Sequence, residues 1–137
     1  MTDETRNKID DKETAQAEFE RFAEAMRIDL DIEDLDENDV RDLRIDQRVV
    51  IKSIMEGRIV IDEQGIATFF PEGCDSVTFR KAKTTAIIAT DKKKQTAKMA
   101  QTLAILADLT GKPSTIFHKW DHADFKIASS VMNLFLV

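Results

Sequence analysis

One cysteine, two prolines, four glycines and one tryptophan stand among 137 residues, and each scarcity narrows the field. A lone Cys74 forms no internal disulfide, so the fold is held by its core, which this length allows. No apolar run approaches the roughly 20 residues that a membrane helix needs. The first residues, Met1-Thr2-Asp3-Glu4-Thr5, are acidic and polar, the reverse of a secretory leader. Together these place the chain in a reducing cytoplasm with no membrane partner. Glycine and proline are rare enough to act as punctuation. Catalytic, cofactor-binding and metal-binding constellations are absent too, which points to a small binding or assembly protein.

What is present is charge, unevenly spread. The net charge of −6 divides into 17 acidic and 7 basic residues over 1–46, and 9 acidic and 13 basic over 47–137. An acidic front half repels nucleic acid and anionic lipid. It can fold over the basic half or meet a basic partner, and the first is the simpler expectation.

Residues 1–12 carry, after Met1, one apolar side chain, Ile9, and are expected to be largely disordered. From about Glu13, residues Ala15, Phe19, Phe22, Ala23 and Met26 follow one helical stripe, with Asp11 or Thr14 available as the cap. Asp29 to Asp39 reads as an acidic linker. A second helix is expected from about Glu37 to Glu56, with Val40, Leu43, Val50, Ile51, Ile54 and Met55 on its apolar side and Gly57 as its stop. The β-branched run Val49-Val50-Ile51 leaves strand open for part of it.

Arg58 to Ile61, the turn Asp62-Glu63-Gln64-Gly65, and Ile66 to Phe70 read as a β-hairpin. Pro71 and Gly73 break the chain before a third strand over Val77 to Arg80. Residues 84–90 are ambiguous, with helix favoured. Thr90 or Asp91 then caps a helix to about Leu109, with Ala100, Leu103, Ala104, Leu106 and Ala107 inside and Gly111 beyond its end. After a turn over Pro113 to His118, Asp121 starts a last helix with two apolar strips. One is Phe125, Ala128, Met132 and Phe135; the other is Ile127, Val131 and Leu134. The expected architecture is therefore α+β: a small antiparallel hairpin or three-stranded meander packed with several helices. An acidic helical extension over 13–48 precedes a domain over 49–137.

Several patterns imitate chemistry. His118 and His122 stand at metal-ligand spacing, but they straddle a helix start and lack a third ligand, so they read as surface histidines. A calcium loop begun at Asp29 fails at Asp34, where glycine is needed, and at Val40, where glutamate is needed. Gly111-Lys112-Pro113-Ser114 imitates a phosphate loop, yet Pro113 removes a donor where the helix should begin. Lys92-Lys93-Lys94 reads as a solvated face, with docking to an acidic surface as the alternative. Cys74 has no histidine near it in sequence. Trp120, at a helix entrance, is a hydrophobic staple or an interface anchor.

The segments GRIVIDEQGIATFFP, VTFRKAK, LAILADLTGKP and DHADFKIASSVMNLFL together resemble the phage tail assembly chaperone family, a resemblance that covers roughly residues 49–137. That resemblance implies a non-enzymatic protein of the host cytoplasm, without cofactors. Members bind the long, helical, aggregation-prone tape measure protein and help tail tube subunits polymerise around it. They are commonly missing from the finished particle, and many occur in short and frameshifted long forms, which suits an end at Val137. Hydrophobic shielding is the mechanism that fits the residues. The second strip of the last helix, Ile127, Val131 and Leu134, with Leu136 and Trp120, is expected to cover a partner helix. Self-association through the same strip gives a homo-oligomer in the partner's absence. A structural or adaptor subunit that stays in the virion is the competing expectation.

Overall fold

The computed structural model describes residues 9–28, 30–33, 35–80 and 98–135. Among these lie α1 (Lys12–Met26), α2 (Glu37–Met55), β1 (Ile59–Ile61), β2 (Ala67–Phe69), β3 (Val77–Phe79) and α3 (Lys98–Thr110). A 3-10 helix (Ser114–Lys119) and α4 (His122–Phe135) complete them. The class is α+β, as the periodicities predict.

Local chemistry explains the boundaries. Asp11 caps α1, its carboxylate accepting from the Glu13 N–H at 3.2 Å and the Thr14 hydroxyl at 2.8 Å. Those bonds hold its carboxyl below the usual range, the Thr14 bond first. The disorder expected through residue 12 is therefore corrected for residues 9–12. Ile9 donates its N–H to the Met55 carbonyl at 2.9 Å and packs on the core. α1 ends on Arg27, which takes φ 57 so that the Ile28 N–H reaches the Ala23 carbonyl. α2 begins at Asp36, whose carboxylate accepts from the Asp39 N–H at 2.8 Å. The Val49-Val50-Ile51 run, left open as strand, is helical throughout. Gly57 stops it as expected, at φ 77, and the Arg58 N–H returns to the Ser53 carbonyl.

The sheet is a meander in the order β1-β2-β3, all antiparallel. Its alternation is clean: Ile59, Ile61, Ala67, Phe69, Val77 and Phe79 are buried, while Val60, Thr68 and Thr78 face away from the core. Asp62 organises the hairpin tip by accepting from the Gln64 and Ile66 N–H groups at 2.8 and 2.9 Å. The helix expected over 84–90 and the cap at Thr90 or Asp91 lie outside the described residues. In α3 the buried positions among the described side chains are Ile105, Leu106, Leu109 and Thr110, whereas Ala104, expected inside, is exposed.

A single core joins all of these elements. Phe19 and Phe22 of α1 are fully enclosed with Leu43 and Val50 of α2, Phe69 and Phe79 of the sheet, and Val131 of α4. Burying a phenylalanine contributes roughly 1.5–3 kcal/mol, enough to hold an acidic helix in place. The segment 13–48 is thus no separate extension of the domain over 49–137. It supplies one wall of the same core.

Candidate functional site

The expected partner-binding strip is covered from within. Val131 and Leu134 are enclosed, at 0% and 1% exposure, and Ile127 is half-buried against the core. α4 packs on α2 and on α3, and Phe135 meets Phe22 of α1 edge-on at 5.9 Å. Trp120 is enclosed as well, in edge contact with Phe69 at 5.5 Å and Phe117 at 4.9 Å. Leu136 lies outside the described residues. The described positions are therefore corrected: Val131, Leu134 and Trp120 belong to this chain's own core, and Ile127 packs against it.

The deepest polar cluster joins α4 to the hairpin. Asp124 is nearly sealed from solvent and pairs with the Arg58 guanidinium. Its other oxygen accepts from the Glu72 N–H at 2.9 Å. Arg58 also donates to the Phe70 carbonyl at 3.3 Å and lies 5.6 Å from the Phe69 ring centroid. Among the described residues these contacts join β1 and the segment after β2 to α4, so Arg58 fastens the hairpin to the helix.

The open surface lies instead on α2. Ile45 is 46% exposed, more than Ile32 or Phe70, each at 40%. At about 100° per residue it points away from Leu43 and Ile54, which face the core. One row of side chains beside it is acidic: Asp39, Asp42 and Asp46. The row on its other side is basic: Arg41, Arg44 and Arg48. Each row borders a cavity. The acidic one, about 520 Å³, runs between α2 and α4, with Leu43 and Asn133 in its wall. The basic one, about 560 Å³, includes Val40 and Glu37. Leu35 and Ile45 line both.

Asp46 carries a shifted carboxyl in this surface. Burial pushes its carboxyl above the usual range, hydrogen bonds from Ser130 and Asn133 oppose the shift, and the charge of Asp42 adds to it. A third hollow, about 270 Å³, opens between α1 and α2, with Lys12, Arg44, Arg48 and Lys52 around Ile51 and Met55.

The sequence reading passed over this ridge because Ile45 falls off the apolar stripe of α2. The signal was available: an isoleucine off the stripe, flanked at helical spacing by aspartates on one side and arginines on the other. His118 and His122 are exposed, and no group of three metal-ligating side chains occurs among the described residues. The calcium-loop positions Asp29 and Asp34, and Lys92 to Lys94, lie outside the described residues. Among the described residues no helix is long and apolar enough to cross a membrane. Comparison with protein-family models, with curated proteins and with solved structures finds no match to this chain.

Proposed function

We propose that this chain is a non-enzymatic phage tail assembly chaperone that holds a helical stretch of the tape measure protein against α2, in the host cytoplasm, with the tail tube protein as second partner. The observation that supports it most is the Ile45 ridge. A large apolar side chain stands exposed between two cavities, while the apolar strips of the other described helices and strands are turned inward. A helix laid along either cavity would meet Leu35 and Ile45 with its apolar face and one charged row with its rim. The lining consists of aliphatic, carboxylate, guanidinium and amide groups, without serine, cysteine, lysine or histidine, a mixture that suits binding a charged amphipathic helix. The resemblance of the hairpin and the two last helical segments to the chaperone family supplies the partner.

The test is co-expression with tape measure fragments. The wild-type chain should co-purify with a helical fragment, and Ile45→Asp should reduce the yield of complex at least about tenfold, equivalent to 1.4 kcal/mol. A wild-type chain that captures no tape measure fragment would refute the assignment. A structural or adaptor subunit is the second reading, supported by the two sheet edges, β1 and β3. Mass spectrometry of purified particles separates the two, since a chaperone is missing from them.

A further inference from the structure

We infer that this chain pairs with a second copy of itself through α2, the two helices lying parallel about a two-fold axis with Ile45 against Ile45. The inference rests on the charge pattern of the ridge and is independent of the tape measure assignment. Asp39, Asp42 and Asp46 stand on one side of Ile45, and Arg41, Arg44 and Arg48 on the other. Two parallel copies, face to face across a two-fold axis, set the acidic row of each against the basic row of the other on both flanks. An antiparallel pair sets aspartate against aspartate and arginine against arginine. The surface is thus self-complementary in one orientation and self-repelling in the other, the way flanking charges choose the direction of a coiled coil.

The cavities supply room for this exchange. The acidic hollow of one copy takes the arginine side chains of its neighbour, and the basic hollow takes the aspartates. Asn38, Ile45 and Lys52, seven residues apart, run along the ridge, and all three are exposed. In the parallel pair each of them meets its own counterpart. Exposed ion pairs contribute little individually and are screened by salt, so the dimer is weak and salt-sensitive. Its apolar centre is one isoleucine from each copy.

Sedimentation velocity on the full chain over a range of concentrations tests this. The wild type should shift from monomer to dimer as concentration rises, and molar salt should move it back. Two variants carry reversed rows: Asp39→Lys/Asp42→Lys makes both flanks basic, and Arg44→Glu/Arg48→Glu makes both acidic. Each alone should raise the dimer Kd by about tenfold or more, and an equimolar mixture should restore dimer as the mixed species. Circular dichroism confirms that each variant is folded, and Ile45→Asp serves as a second variant if either is not. In a Cys74→Ser background, Asn38→Cys should form a disulfide with itself, and so should Lys52→Cys. A wild type that stays monomeric at every concentration, or reversed rows that dimerise as the wild type does, would overturn the pairing. So would Asn38→Cys joining only to Lys52→Cys. A chain that dimerises but captures no tape measure fragment keeps this inference and loses the assigned partner.

Discussion

Arg58, at the foot of the hairpin, donates to Asp124 in the first turn of α4, joining positions 66 residues apart. The pair lies where the last helix meets the sheet, and the Glu72 N–H completes the carboxylate's shell. A carboxylate there also faces the positive end of the helix dipole. Removing one partner leaves the other charge poorly solvated. Asp124→Ala should therefore cost about 3 kcal/mol, at the low end for buried pairs because Arg58 keeps 27% of its surface in water. Replacing both by apolar side chains, Arg58→Met/Asp124→Leu, should recover most of that loss. A double-mutant cycle in urea measures it.

The hairpin tip is seated on α1. A Cβ at Gly65 would stand 2.5 Å from the Ala25 Cβ and 2.9 Å from the Arg21 carbonyl oxygen, and the backbone there has φ +82. Arg21 holds the same turn by donating to the Asp62 carbonyl at 2.9 Å. Gly65→Ala should cost about 2 kcal/mol through the contact and the backbone together. Ala25→Gly in the same chain should return only the part due to the Ala25 methyl, because the Arg21 carbonyl contact and the left-handed backbone are unchanged. Thermal unfolding of Gly65→Ala with and without Ala25→Gly, set against Ala25→Gly alone, isolates that part.

Asp46 gives a pH dependence of known sign. Its folded-state carboxyl is raised above the ordinary value of 3.8, so the folded chain holds that proton more tightly than the unfolded chain. The stability it contributes is full below 3.8, falls as the pH rises through the raised value, and is flat above it. Asp46→Asn keeps an acceptor for Ser130 and Asn133 but cannot ionise. Relative to wild type it should be more stable at neutral pH than at a pH below 3.8, as denaturation midpoints at the two pH values will show. An equal difference at both would mean that burial does not perturb this carboxyl.

Leu134 belongs to the core, and its variants should behave accordingly. Leu134→Ala should cost about 2–5 kcal/mol in the isolated chain. Deleting residues 131–135 should unfold the hairpin with the helices, since α4 packs on both α2 and α3. Denaturation of the chain alone, with no partner added, reports this.

Much of the fold was legible because its determinants are local. Gly57 after a helical stripe, Asp62 and Gly65 in a polar turn, and alternation over Val77 to Phe79 each carry their geometry within a few residues. The second strip of α4 was not legible in the same way. A helix with two apolar faces announces that both will be covered, and its sequence does not say by which chain. α4 packs on α2, far earlier in the chain, which begins in the acidic half whose folding over the basic half was the simpler expectation but whose contacts no local pattern names. The ridge was missed for the opposite reason. Ile45 violates the stripe of its own helix, and a stripe-based reading discards such residues although they mark an exposed face.

Hydrogen exchange on the full chain, with and without a helical tape measure fragment, bears most directly on the proposed binding role of α2. Protection should rise over residues 35–48 on addition of the fragment and stay unchanged in α4, whose amides are already enclosed. Protection that appears over 122–135 while α2 remains unaffected would contradict the ridge as the binding surface.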